Sequence, residues 1–510
     1  RSKHYQALGS GNLYLGSPSR RYAPHLGRGH LSGVGLGSGA TPVIDPRIPF
    51  FKPMKKTVVL DIVALSPRVI GEHTPFLKQW IASKHQAVVE PVLPAVTCTA
   101  QSVYLTGKWP SENGIVGNGW YFEEECEIKF WRQSNKLVQG EKVWDLLRKE
   151  DPTFTVANLF WWYNMYSTAD FAVTPRPLYP ADGRKLPDCH SQPMELRDRL
   201  QAELGPFPLF SFWGPATTIA SSRWIAEAAK KVDQWHSPTL NLIYLPHLDY
   251  ALQKFGIDFA KIGKDLREID DLAKDLISYF ESQGTQVLLL SEYGITTVSQ
   301  PIHLNRIFRE KGWIQVKNEL GLETLDAGTS KVFAVADHQV AHVHVQDQSL
   351  LAEVQALLAQ VPGVEQVLDA QGKKEAHLDH ARSGDLVVVA DANSWFTYYF
   401  WLDDAKAPDY ARCVDIHRKP GYDPVELVMD PSISIPMLKV GTKLLKKKLG
   451  FRYLMDVIPL DATLVKGAHG RVPESDLDKP LLVCEASLTQ AERIAPTTVF
   501  DLIVKAVQGQ

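Results

Sequence analysis

Cysteine is scarce and scattered. Cys98, Cys126, Cys189, Cys413 and Cys484 are the only five in 510 residues, with no Cys-x-x-Cys pair, which excludes a zinc knuckle or a dense disulfide framework and favours a reducing compartment. No apolar run approaches the roughly 18 residues that span a bilayer, so an integral membrane protein is not expected. A basic excess is also missing: the formal net charge is -3, whereas a general nucleic-acid binder would usually carry a strongly basic domain. Small molecules are therefore the expected partners. Acidic residues are absent from Arg1 to Ile44, a stretch rich in Gly, Ser and Arg that can hardly form a core. Residues 1–53 read as a disordered N-terminal extension. It is either sequence ahead of a start at Met54, in a cytoplasmic protein, or an organellar transit peptide.

The 510 residues are 45% apolar and 22% charged, enough to bury a large core, and the core-forming pattern begins at Met54. Short β-branched runs alternate with amphipathic stretches. Buried strands are expected at Thr57 to Leu65, Phe154 to Phe160, Leu240 to Leu245, Gln286 to Leu290, Lys331 to Ala336, Asp385 to Ala390 and Leu481 to Ala486. Helices are expected at Pro75 to Lys84, Pro193 to Leu204, Trp224 to Trp235 and Ile262 to Glu281. This alternation predicts an open, mostly parallel sheet with helices on both faces, an α/β/α sandwich whose ligands sit beyond the carboxyl ends of the strands. Residues 54–329 and 392–510 form the two parts of that core. Residues 330–391, denser in strands, read as a small α+β insertion.

The most chemically pointed segment is Pro94-Ala95-Val96-Thr97-Cys98-Thr99-Ala100-Gln101-Ser102, followed by Thr106-Gly107 and by Asn113-Gly114-Ile115-Val116-Gly117-Asn118. A hydroxyl at the start of a predicted helix, an anion-binding helix N-terminus and a nearby side-chain amide suit attack on a phosphorus ester. The plainer readings are that Thr97 is a helix N-cap and Asn118 a turn residue. The run Phe160 to Tyr166, with Trp161 and Tyr163, offers faces for stacking on a flat group or side chains for the core. Arg184-Lys185 and Arg418-Lys419 can neutralise phosphate or lie solvated in loops. Lys443 to Leu449 reads as a solvated helix face or as a segment that docks on an anionic membrane surface.

Pro94 to Asn118 resembles the nucleophile region of the nucleotide pyrophosphatase/phosphodiesterase branch of the alkaline-phosphatase superfamily. Further landmarks resemble that family in the same order: Gly140-Glu141-Lys142-Val143-Trp144, Tyr244-Leu245-Pro246-His247-Leu248-Asp249, Leu290-Ser291-Glu292-Tyr293-Gly294, Gly467-Ala468-His469-Gly470, and the closing helix from Thr497. The resemblance covers most of Lys55 to Val507. It implies an alkaline-phosphatase-like fold and hydrolysis of phosphoric esters or pyrophosphates through a phosphothreonine on Thr97. It further implies two divalent metals, usually zinc, flanking that residue. By position, Asn118 is the donor to the phosphoryl oxygen, Asp249 and His469 ligate one metal, and Glu292 ligates the other.

Several expected ligands are replaced. Val63-Ala64 stand where the family carries Asp-Gly, with Asp61 two residues earlier on the same strand face. Tyr293 replaces a histidine, and Gln253, four residues after Asp249, replaces another and offers only an amide oxygen. A site richer in oxygen can favour manganese, magnesium or calcium over zinc. His417 is a replacement ligand candidate, as are His247, read as sharing a strand face with Asp249, His303, and His338 beside Asp337. His342 and His344 read as an ordinary exposed strand face. A second function class follows from the losses: a catalytically altered relative that binds a phosphorylated metabolite or serves as a partner protein. A sulfatase is not expected, because its Cys-x-Pro-x-Arg pattern is absent.

Overall fold

The computed structural model describes residues 54–181 and 184–510; the N-terminal extension, Asp182 and Gly183 lie outside the described residues. Thr57–Ile62 (TVVLDI) is buried at every position and pairs in parallel with Leu240–Leu245 on one side and Gln286–Leu290 on the other. Largely apolar runs of this kind, here interrupted by the buried Asp61, suit strands covered on both faces. Val156–Leu159 and Phe171–Pro175 extend the parallel set. The full nine-stranded order is Arg493–Ile494, His85–Val89, Leu481–Cys484, Gln286–Leu290, Thr57–Ile62, Leu240–Leu245, Val156–Leu159, Phe171–Pro175, Cys189–Gln192. The chain is thus an α/β protein with a large, mostly parallel sheet.

Helices Pro75–Ala82, Met194–Leu204, Ala220–His236 and Phe259–Ser282 pack together on one face, and Thr97–Thr106, Val143–Glu150 and Thr498–Gln508 on the other. Buried Asp270 in the long helix accepts hydrogen bonds from the backbone N–H groups of Phe76 (3.0 Å) and Leu77 (2.7 Å). It thereby caps the Pro75–Ala82 helix from a distance, satisfying two of its free donors. Residues 330–391 contain a four-stranded antiparallel sheet, ordered Val332–Asp337, Val340–Val345, Leu386–Ala390, Val364–Leu368, packed in a second apolar core that it shares with residues such as Phe130, Phe308, Trp395 and Ile458.

The expected strands and helices appear with ends shifted by a few residues, with one change of element. Asp249 and His247 lie in a helix, His247–Phe255, which begins directly after the Leu240–Leu245 strand at Pro246 (φ -85°, ψ 6°). They therefore do not share a strand face. At about 100° per residue, two positions apart means nearly opposite sides of the helix, while Asp249 and Gln253, four apart, share one.

Candidate active site

Thr97 is the first residue of its helix; Val96, extended at φ -133°, is the N-cap and makes no side-chain capping bond. The buried threonine hydroxyl thus performs no capping and lies 3.2 Å from the Tyr293 hydroxyl. The free donor of Cys98, in the first turn, is met by Asn118 Oδ1 at 3.0 Å. Asn118 is itself held by Asp337, which accepts from its backbone N–H (2.7 Å) and from Nδ2 (3.1 Å). A Cβ on the preceding Gly117 would come within 3.1 Å of that carboxylate, so glycine there lets the loop close on Asp337. Burial pushes Asp337 up to about 6.

A chain of hydroxyl and amide groups runs from Thr97 into the protein. The Tyr293 hydroxyl donates to Asp249 Oδ1 (3.1 Å), which leaves its oxygen to accept from Thr97. Gln253 Nε2 donates to Asp249 Oδ2 (2.7 Å), and Tyr422 donates to Gln253 Oε1 (2.9 Å). Burial pushes Asp249 up to about 7, opposed by the bonds from Gln253 and Tyr293. The Tyr293 phenol is driven well above its usual range, first by burial and then by Asp249 and Glu292. A neutral phenol thus bridges a hydroxyl and a carboxylate that titrates near neutrality.

His469 stacks on Tyr293, with ring centroids 3.6 Å apart and planes at 6°. Its Nδ1 donates to the Ala95 carbonyl (2.7 Å), so the neutral ring turns the Nε2 lone pair toward the site. That nitrogen has no hydrogen-bond partner and lies 3.8 Å from Asp249 Oδ1. Burial keeps the ring neutral by holding it well below the usual histidine range. The segment is seated by a backbone contact only glycine allows: a Cβ at Gly467 would lie 2.1 Å from the Leu252 carbonyl.

Asp61 and Glu292 meet beneath the Thr97–Thr106 helix. Gln101 Nε2 donates to both, at 3.2 Å and 2.5 Å, while its Oε1 accepts from the Trp162 backbone N–H at 2.7 Å. Burial pushes Asp61 up to about 7 and Glu292 well above its ordinary value, with Asp61 adding repulsion. Burial thus favours the protonated forms of this pair, with Gln101 as its clamp.

These residues do not assemble the two-metal set that the resemblance implies. Among the described residues, three or more imidazole, thiol or carboxylate groups converge at metal-ligating distances only at His247, Asp265 and Glu268, away from Thr97. The Tyr293 hydroxyl stands between Thr97 and Asp249, Gln253 is occupied by hydrogen bonds, and Asp61 and Glu292 are tied to each other and to Gln101, with Glu292 also bonded to the Thr97 side chain. Two donors near Thr97 remain: Asp249 and the bare Nε2 of His469 are an oxygen and a nitrogen of the kind that ligate a divalent ion.

Thr97, Asn118, Asp249, Tyr293, His338 and His469 open onto one cavity of about 910 Å³. Its outer wall is largely aromatic and apolar, including Trp131, Trp162, Phe212, Trp213, Tyr422 and Met455. Trp162 takes the place expected for Trp161 and Tyr163: Trp161 is packed in the sheet core, and Tyr163 is buried against Cys98. The run bends after the Val156–Leu159 strand, where Phe160 and Tyr163 adopt positive φ (72° and 54°), so alternation along a strand does not apply. Arg184, Lys185 and His417 also line the cavity. Lys419 does not reach it, being buried with Asp423 (2.7 Å) and Glu426 (2.6 Å).

Of the other histidines, His338 is brought to the cavity, donating from Nδ1 to Asp337 (2.8 Å) and stacking on Tyr422. His303 bonds Thr397 (2.7 Å) in the second core, and His247 faces the long helix. His342 is buried rather than exposed, with Nε2 donating to the Val116 carbonyl at 2.9 Å, and His344 stacks on Phe333. The strand face expected to be exposed is covered by the Asn113–Asn118 loop and Tyr121. Gln101 and Tyr422 went unrecognised in the sequence. The one signal for Gln101 was its position one helical turn after Thr97.

The fold is shared with enzymes of phosphorus chemistry. Murine ectonucleotide pyrophosphatase / phosphodiesterase 5 matches 89% of this chain and 95% of its own at 13% identity and a TM-score of 0.52. Phosphonoacetate hydrolase from Sinorhizobium meliloti 1021, in complex with phosphonoformate, matches 89% and 96% at 15% identity and a TM-score of 0.56. In sequence, an ectonucleotide pyrophosphatase/phosphodiesterase 2 of Saccharomyces cerevisiae is 23% identical over 267 residues. The chain spans about half the length of that curated relative, 48%. Residues 57–423 match the family described as Type I phosphodiesterase / nucleotide pyrophosphatase. The chain belongs to that family.

Proposed function

We propose that this protein hydrolyses a phosphoric diester or pyrophosphate through Thr97. The carrying observation is the Thr97–Tyr293–Asp249 hydrogen-bond chain, placed at a helix N-terminus and opening into a large cavity. In the first step the Thr97 oxygen bonds to phosphorus and the ester or anhydride oxygen leaves. The threonine proton passes to the Tyr293 oxygen as the tyrosine proton passes to Asp249, whose affinity near neutrality suits a general base. The leaving oxygen takes a proton from solvent. Water then attacks the phosphothreonine, releasing a phosphate monoester and restoring Thr97. The N-terminal end of the Thr97–Thr106 helix faces the negative charge that develops on phosphorus.

Were a divalent cation held by Asp249 and His469 instead, it would take up the Asp249 carboxylate in place of its role as base, and would supply Lewis-acid stabilisation of the phosphoryl oxygens. Murine ectonucleotide pyrophosphatase / phosphodiesterase 5 has also been solved in complex with AMP in an inactive form carrying a threonine-to-alanine change. This supports a threonine nucleophile and a nucleotide-like substrate here. The apolar wall favours a substrate whose non-phosphate part is bulky and flat or apolar.

The test is turnover of a chromogenic phosphodiester and of a dinucleoside pyrophosphate by wild type, Thr97→Ala and Thr97→Ser. Alanine should abolish hydrolysis with the fold intact by circular dichroism, and serine should restore part of it. Undiminished turnover in Thr97→Ala refutes the proposal. The clamped Asp61–Glu292 pair and the phenol at Tyr293 favour one second reading, a binding protein that no longer hydrolyses. Tight binding of a nucleotide without turnover of any phosphoester would support it.

A further inference from the structure

We propose that the face formed by helix Pro436–Lys448 and the segment after it, at the mouth of the cavity, docks on an anionic lipid bilayer surface. Among the described residues, no helix is long and apolar enough to cross a membrane; the proposed contact is one of lying on the surface. The helix is about 20 Å long and is fastened by salt bridges from Lys439 (3.1 Å) and Lys443 (2.7 Å) to Asp456. Met437, Val440 and Leu444, spaced on one stripe, line the cavity. The adjacent stripe points outward. Leu438 is 61% exposed and Leu445 56%, and they are continued by Leu449 at 64%; Phe451, at 65%, sits at the rim and also lines the cavity.

Apolar side chains exposed singly need no explanation, whereas a contiguous set marks a binding face. What covers this one is indicated by charge. Lys446, Lys448 and Arg452 are exposed beside the leucines and make no ion pair among the described residues. Unpaired cations flanking a raised apolar stripe match the headgroup and acyl layers of an anionic leaflet. A protein partner would instead need a complementary acidic, apolar groove. The same helix borders the cavity that contains Thr97, so docking would set the cavity mouth against the bilayer. The proposal does not depend on turnover.

The experiment is cosedimentation of the full chain with phosphatidylcholine vesicles, with and without phosphatidylserine, at low salt. Wild type should pellet with the anionic vesicles and stay in solution with the neutral ones. Lys446→Gln with Lys448→Gln should weaken partitioning about 25-fold, at about fivefold per cation, and Leu438→Ser with Leu445→Ser should abolish it. None of these four side chains lines the cavity, so hydrolysis of a soluble chromogenic diester and the circular dichroism spectrum should be unchanged. Wild type that stays in the supernatant with anionic vesicles overturns the proposal, as do variants that pellet equally well. A concentration-dependent dimer in sedimentation velocity that is abolished by the leucine substitutions, without vesicle binding, would make the face a subunit interface and also overturn it.

Discussion

Replacing Tyr293 by phenylalanine removes one oxygen from the centre of the proposed relay and almost nothing else. The ring stays stacked on His469, so the cavity keeps its shape. The Thr97 hydroxyl, 3.2 Å away, and Asp249, 3.1 Å away, each lose a partner. Asp249 retains the 2.7 Å bond from Gln253. Two buried groups short of one bond each cost roughly 1–3 kcal/mol apiece, a moderate loss that leaves a folded enzyme. The larger effect falls on chemistry: a positioned proton acceptor is worth about 10²–10⁴ in rate, so kcat should drop by that factor while KM changes little.

The pH profile provides a second readout of the same variant. Tyr293 is one of two hydrogen bonds that hold the Asp249 value down against burial. Without it the carboxyl binds its proton more tightly, and the acid limb of kcat, expected near pH 7 in wild type, should move to higher pH. Steady-state kinetics from pH 5 to about 9 in a common buffer tests both effects. If Tyr293→Phe keeps wild-type kcat and an unmoved acid limb, the hydroxyl is not part of the proton path and a cation alone must activate Thr97.

Two further outcomes are expected. Equilibrium dialysis against zinc or manganese should show uptake by wild type and loss of that uptake in His469→Ala; equal uptake in both places the ion elsewhere, His247, Asp265 and Glu268 being the other convergent group. Asp61→Asn should be most stabilising at alkaline pH. Because burial pushes the native carboxyl up to about 7 from its ordinary 3.8, the native state binds the extra proton between those limits. Wild-type stability from this group therefore falls as pH rises through that window. The Tm difference between Asp61→Asn and wild type should grow from pH 4 to 8, and a flat difference would contradict a raised Asp61.

Leu240–Leu245 and Gln286–Leu290 were legible to the residue because each is a predominantly apolar run bounded by polar or turn-forming residues, the signature of a strand buried on both faces. Thr97, Asn118, Asp249 and His469 were legible as a set because their local motifs come in a familiar order. The missing part of the site depends on contacts between distant segments. Tyr293 could be read as a lost imidazole, but not as a hydroxyl inserted between Thr97 and Asp249. Asp337 and Tyr422 lie 219 and 169 residues from the groups they bond, Asn118 and Gln253, and no local pattern carries that information. His342 misled because alternation states which residues share a strand face, not which face is covered. Asp249 and His247 were placed on a strand because the turn at Pro246 leaves no glycine or polar cap to announce the helix.

The helix that begins at His247 works as an indexing wheel. It sets Asp249 and Gln253 toward Thr97 and His247 toward the long helix Phe259–Ser282, and its start is fixed by the end of the Leu240–Leu245 strand. Adding or deleting one residue between Pro246 and Asp249 would turn the carboxylate by about 100°, out of reach of Tyr293. Residue identities at this wheel are open to exchange, as Gln253 in place of an expected histidine illustrates. The length of the connection between strand and helix is not open in the same way.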